Sequence, residues 1–233
     1  MVASPAERVG ALDTLANIYL APAAAFAALK ERPTSLLPVL ALIVASCAVT
    51  LWYYSGVDIS WLLERSLDPA QMTPQVQKAL ASSATRYAAM GSSSVAAALI
   101  LLVVFLVNAG YLSFVSLLTN DGMRFRQWFS LVAWSSLPGL LSQLAALVNL
   151  AVSDISHLPQ ERLNPLSFAS LLDLDLAGAG RGTMILASMD PLALWTLALM
   201  TVGYRLWTGK GFAASALIVA APLLVVVALV AAL

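Results

Sequence analysis

Residues 183–207 read TMILASMDPLALWTLALMTVGYRLW. Whether this run crosses a bilayer decides between four spans and five, and so whether the two ends of the chain share a side. The run is apolar enough to cross, but it carries Asp190-Pro191 within it. An Asp side chain accepts hydrogen bonds from free helical N–H groups, and proline suits the first helical position, so the pair reads as a helix start. Pro191 to Tyr204 is 14 residues, about 21 Å at 1.5 Å per residue, which falls short of the ~30 Å hydrocarbon layer. Residues 183–189 are therefore expected at membrane depth as well, with the helix broken or kinked at Asp190.

Outward from this run, residues 36–55, 95–119, 129–152 and 212–233 each supply the apolar length of about 20 residues that a span needs. The last of them carries no charge and a single hydroxyl, Ser215. Composition agrees: of 233 residues, 61% are hydrophobic and 10% charged, against about 25% charged in an ordinary soluble domain. So little polar surface cannot cover a water-soluble globule, and the rest must face lipid. The sequence predicts an all-α, polytopic membrane protein with about five transmembrane helices. An amphipathic segment, 1–34, precedes the membrane domain, 35–233, and short helices occupy the loops.

In the N-terminal segment, Leu12, Leu15, Tyr19, Pro22, Phe26 and Leu29 recur at spacings of three and four, one stripe of a helix. Pro22 removes a backbone donor, so two short helices or a kink are expected there. The stripe suits either the membrane interface or the protein's own helices. Residues 1–20 include Glu7, Arg8, Asp13 and Asn17, which leaves no unbroken signal-peptide core. The first span is then expected to direct the chain to the membrane. Asp68-Pro69, Thr73-Pro74 and Asn164-Pro165 read as further helix starts. After Thr73, the face Val76, Leu80, Ala84 and Tyr87 suggests a surface helix leading into the second span. The Gly-rich stretch 177–182 has no Lys-Ser/Thr phosphate-loop pair and reads as a flexible connection.

With five spans, Arg8, Lys30, Arg32, Arg124, Arg126, Arg205 and Lys210 fall on one side, and Arg65, Lys78, Arg86, Arg162 and Arg181 on the other. The short-loop bias puts the N-terminus in the cytoplasm and the C-terminus outside. Net charge is zero, which gives nucleic acid no bulk electrostatic attraction. The lone Cys47 lies in an apolar run and reads as a packing residue. His157, with Asp154 and Glu161 nearby, matches no metal spacing and reads as a loop residue. No nucleophile–base pair is marked, so no enzyme activity, cofactor or metal is expected. An Ala- and Leu-rich composition poor in Lys and Asn suggests a GC-rich bacterial genome, and with it the inner membrane.

Three segments carry a family likeness. NIYLAPAAAFAALKERP (17–33) places Asn17, Pro22, Phe26 and Pro33 just before the first span. RFRQWFSLVAWSSLPG (124–139) leads from a basic-aromatic loop into a helix with Ser and Pro. LASMDPLALWTLALMTVGYRLWTGKG (186–211) carries an Asp into a Trp-containing helix followed by a Thr-Gly-Lys turn. In order and spacing these resemble the bacterial Yip1-domain family. The resemblance implies five membrane helices and a cytoplasmic N-terminus. Eukaryotic members are associated with Rab GTPases, but the chain lacks their long N-terminal region and their Asp-Leu-Tyr-Gly-Pro motif, so GTPase binding does not carry over.

Among polar residues expected inside the membrane, Asp190 stands first, because an ionisable group at that depth is costly. It reads as a helix cap, as a contact for an ion, proton or solute, or as the partner of Arg181 or Arg205. Ser135, Ser142, Gln143 and Asn149 line one small, polar face of the third span with Pro138 and Gly139. That face reads as a packing seam, or as a hydrated groove completed by Asn108 of the second span. Arg124, Arg126 and Trp128 read as a lipid-interface edge. The function expected is membrane organisation, or partnership with another membrane complex, in contact with lipids and other membrane proteins. The rival reading is a small transporter or channel built on Asp190 and the polar face. A homo-oligomer is allowed by the sequence but not indicated.

Overall fold

The computed structural model describes residues 10–64, 82–174 and 180–232, and among them there are helices and turns but no strand. The N-terminal stripe folds as α1 (Ala11–Leu20) and α2 (Pro22–Glu31). Proline disfavours a helical conformation in the residue before it, and Ala21 between the two helices sits at φ −147°, ψ 62°. The Asp13 carboxylate accepts the Gly10 N–H at 3.0 Å and steadies the start of α1.

Helix α3 (Leu36–Gly56) is the first long apolar helix, followed by the short α4 (Ile59–Glu64). Helix α5 (Ser83–Thr119) begins well before the expected Val95. Residues 83–94 contain no proline, and Ser82 Oγ caps them by accepting the Thr85 N–H at 3.2 Å, so the surface helix and the span run on as one. Asp68-Pro69, Thr73-Pro74, Val76 and Leu80 lie outside the described residues, as do residues 177–179 of the Gly-rich stretch.

The third span differs from the expected single helix over 129–152. It consists of α6 (Phe125–Ser135) and α7 (Gly139–Val152), separated by a turn at Ser136–Pro138. Pro138 has no N–H for the Trp134 carbonyl. Leu137 N–H reaches it instead at 3.4 Å, which tightens the turn. The Leu137 carbonyl is taken by the Tyr19 hydroxyl at 2.9 Å.

Two 3-10 turns, Ile155–His157 and Gln160–Arg162, lead to α8 (Phe168–Leu171). Asn164-Pro165 does not start that helix. Ser167 Oγ caps it, accepting the Ser170 N–H at 3.2 Å, while Asn164 Oδ1 accepts the Leu166 N–H at 3.0 Å in a local turn. Then come α9 (Arg181–Ser188), α10 (Pro191–Thr208) and α11 (Phe212–Ala232). Helices α9 and α10 bend by 66° at Met189–Asp190. Among the described residues four stretches are long and apolar enough to cross a membrane (α3, α5, α6 with α7 taken as one, and α11), and five if the bent pair α9–α10 is one span. Helix α10 runs four residues past Tyr204, with Arg205 in its last turn, where a cation meets the negative helix end.

Contacts divide the chain into two units. The first is drawn from Met1–Val39, Phe105–Leu137 and Trp195–Val226, and the second from Leu40–Val104, Pro138–Leu194 and Val227–Leu233. The core of the first includes Phe26, Leu29, Trp128, Leu131, Trp134 and Tyr204. That of the second is built on Val49, Tyr53, Val57, Ile59, Ala146 and Leu150. Apolar side chains such as Leu99, Val103, Phe114 and Leu217 are left exposed, as a lipid-facing surface requires.

Candidate functional site

Asp190 lies in the second unit and is 7% exposed. Its Oδ1 accepts the Ala193 N–H at 2.7 Å, the capping bond that the Asp-Pro pair implies. Its Oδ2 accepts from Ser142 Oγ at 2.6 Å and Asn164 Nδ2 at 2.8 Å. Hydrogen bonds to an ionised acceptor are shorter and about twice as strong as neutral ones. The carboxylate therefore ties α7, the connection before α8 and the start of α10 together. Beside it, the Met189 carbonyl accepts the Phe168 N–H at 2.9 Å, which closes the same joint. Neither Arg181 nor Arg205 is among the donors to Asp190.

Asn149 fastens the same connection two turns further along the polar face. Its Nδ2 donates to the carbonyls of Arg162 and Leu163 at 2.9 and 3.1 Å, and its Oδ1 accepts from Ser153 Oγ at 3.0 Å. Arg86 closes the C-terminal end of α3. One of its guanidinium nitrogens donates to the carbonyls of Tyr54, Ser55 and Val57 at 3.1, 2.9 and 2.9 Å, groups that a helix end leaves without intrahelical partners. The exposed Asp154 carboxyl is held below the usual carboxylate range by hydrogen bonds from Ser156. His157 Nδ1 lies 3.0 Å from Ser156 Oγ, and its ring meets Trp61 edge-on at 5.4 Å.

The first unit has no such carboxylate clasp among its described residues and is stitched by side-chain donors reaching backbone carbonyls of other segments. Trp207 Nε1 donates to the Phe26 carbonyl at 2.8 Å, and Lys30 Nζ to the Trp207 carbonyl at 3.0 Å. Gln127 Nε2 donates to the Lys30 carbonyl at 2.9 Å. Ser130 Oγ and Trp134 Nε1 both donate to the Thr34 carbonyl, at 2.6 and 2.7 Å. Gly203 lets α10 approach closely: a Cβ there would clash with Leu131 Cδ1 and lie 3.1 Å from the Phe26 ring.

An ion pair completes this unit, and two left-handed helix ends place it. Asn120 ends α5 at φ 56°, and the Asp121 N–H reaches back to the Ser116 carbonyl at 3.2 Å, the Schellman arrangement. Gly209 ends α10 at φ 72°, with its N–H on the Arg205 carbonyl at 2.8 Å. The next residue after each, Asp121 and Lys210, pair at 2.9 Å. Lys210 also donates to the Tyr204 hydroxyl at 3.2 Å. Tyr204 is buried and stacks on Trp128, centroids 5.3 Å apart. Desolvation alone would lower the Lys210 pKa, but the hydrogen bonds it donates to Asp121 and Tyr204 outweigh this and the net shift is upward.

Of the residues singled out from sequence, Asp190 and Asn149 are thus bonded within the second unit. Ser135 Oγ is buried without a hydrogen-bond partner among the described residues. Gln143 is half-buried and is not a donor to Asp190, and Asn108 belongs to the first unit. Arg124 and Arg126 are exposed, but Trp128 is fully buried and does not face headgroups. Its ring packs between Tyr204 and Trp207. Sequence reading passed over Asn164 as a donor, Ser142 as the decisive hydroxyl and the Asp121–Lys210 pair. The Asn-Asp-Gly turn at 120–122 and the Gly-Lys-Gly turn at 209–211 are the local signals for that pair.

Within the described residues, no three His, Cys, Asp or Glu side chains gather as a metal site would require. Neither a curated protein nor a solved structure gives a significant match. The model of the Yip1 domain matches residues 16–233. Segments that carry the likeness supply Phe26 and Gly203, which meet in the core of the first unit, Trp128, which stacks there on Tyr204, and Asp190, which closes the second. A match over nearly the whole chain, with several apolar helices behind it, makes this multi-pass membrane protein a member of the Yip1 domain family.

Proposed function

We propose that the protein is a non-catalytic component of the bacterial inner membrane. It acts in membrane organisation, or as the partner of another membrane complex, with its N-terminus in the cytoplasm and its C-terminus outside. One observation carries this reading: the buried carboxylate of Asp190 is committed to three donors that hold helices together. A group so occupied suits a scaffold better than a transfer site. Asp190→Asn and Ser142→Ala, expressed at equal levels, are expected to affect growth or partner co-purification only in proportion to lost stability. A loss specific to Asp190→Asn, at a stability matched by Ser142→Ala, would sink the scaffold reading.

A second reading, a small transporter or channel, is favoured by the same burial. Asp190 has only neutral donors, and among the described residues no cation pairs with it. Proteoliposomes in which the wild type carries a proton or ion flux that Asp190→Asn abolishes would establish it. Orientation has its own test, in a Cys47→Ser background. An impermeant thiol reagent added outside is expected to label Glu161→Cys and to spare Arg126→Cys, and the opposite pattern would reverse the topology.

A further inference from the structure

Between α2, the end of α10 and the start of α11, the first unit holds a cleft of about 540 Å³. Its walls include Ala23, Val202, Arg205, Leu206, Lys210 and Phe212. The charge of Lys210 is met by Asp121 at 2.9 Å. Arg205 is exposed, and among the described residues no carboxylate pairs with it. The cleft therefore has one uncompensated guanidinium. Leu206 and Phe212 beside it are 43% and 61% exposed. A planar guanidinium matches phosphate oxygens with two parallel hydrogen bonds, and exposed Leu and Phe next to it suit hydrocarbon. The cleft lies where α10 ends and the apolar α11 begins, the position of a headgroup rather than of the bilayer centre.

We propose that this cleft binds one anionic phospholipid, with its phosphodiester on Arg205 and an acyl chain along Leu206 and Phe212. This goes beyond the scaffold reading and needs only that the chain sit in a bilayer. The test uses the full chain in mild detergent, titrated with phosphatidylglycerol or phosphatidylcholine of matched acyl chains and read by native mass spectrometry. A single Arg at a membrane surface contributes about fivefold in preference for anionic lipid, so about fivefold tighter binding of phosphatidylglycerol is expected. Arg205→Gln should bring the ratio to about one, whereas Arg124→Gln with Arg126→Gln should leave it. Ala23→Trp, a surface change that fills the cleft and keeps the charge, should weaken phosphatidylglycerol binding by at least about fivefold. Excess inorganic phosphate should not displace the lipid. Retained preference in Arg205→Gln, its loss in the Arg124/Arg126 variant, unchanged binding in Ala23→Trp or displacement by phosphate would each overturn the proposal.

Discussion

The two units solve one problem with a different emphasis. Polar groups away from water must be bonded, and in lipid they must be bonded internally. In the first unit the acceptors are mostly backbone carbonyls, and the donors are aromatic N–H groups, Gln127 and Lys30. A tight ion pair, Asp121–Lys210, lies between its helices, with Lys210 against the Tyr204 hydroxyl. In the second unit Asn149 and Arg86 also reach backbone carbonyls, but one joint gathers on a single carboxylate whose donors are neutral: a hydroxyl, an amide and a backbone N–H. The first arrangement spreads the work over a packed aromatic core. The second adds to such bonds a clasp centred on one residue, Asp190.

That contrast is open to direct attack. The largest effect is expected from Trp128→Ala, which empties the aromatic stack of the first unit. Truncating a buried Trp costs about 3–5 kcal/mol, to be seen as loss of cooperative unfolding in detergent at temperatures the wild type survives. Phe114→Ala, at an exposed apolar position, should cost under about 1 kcal/mol. If the two cost the same, the aromatic core is not what holds the unit. Next comes Asp190→Ala, expected to lose about 3 kcal/mol, because a charge-assisted bond contributes ~1.5–3 kcal/mol and a helix cap ~1 kcal/mol. Asp190→Asn should lose less, since an amide oxygen still accepts the Ala193 N–H. Gly203→Ala follows at about 1–3 kcal/mol, the usual cost of overpacking.

Acidity separates the units with smaller effects. The raised pKa of Lys210 means that its stabilisation is complete below the ordinary value of 10.5 and is lost as pH rises through the higher folded value. Asp154, lowered by Ser156, works the other way: its contribution is present above the ordinary 3.8 and is lost as pH falls through the lower folded value. Tryptophan fluorescence of the Trp128–Trp207 cluster should therefore change in strong alkali in the wild type but not in Lys210→Met.

How much of this is legible in sequence follows from the range of each signal. The breaks at Ala21 and Asp190 are local consequences of proline, and the sequence shows both. The apolar runs mark the spans for the same reason. The turn at Ser136–Pro138 is partly hidden, because many helices in lipid tolerate proline when a neighbour satisfies the freed carbonyl. Here the Leu137 N–H takes that carbonyl within the turn, and the turn is held by Tyr19, far off in the chain, on the Leu137 carbonyl. The burial of Trp128 is not readable, since a basic-aromatic edge looks alike whether its Trp faces headgroups or a stack. Nor are the donors to Asp190: Ser142 and Asn164 stand 48 and 26 residues away. The same distance problem hides Lys210 from Asp121, 89 residues apart.

The most direct measurement is a double-mutant cycle on unfolding, with Ser142→Ala, Asp190→Ala and the two combined, in the purified full chain. If Asp190 is a closed clasp, the double variant should be less damaged than the sum of the singles by about 1.5–3 kcal/mol, the worth of one hydrogen bond to a charged group. Additive losses would mean that Ser142 does not hold the carboxylate, and Asp190 would then be free for the ion or solute contact of the rival reading.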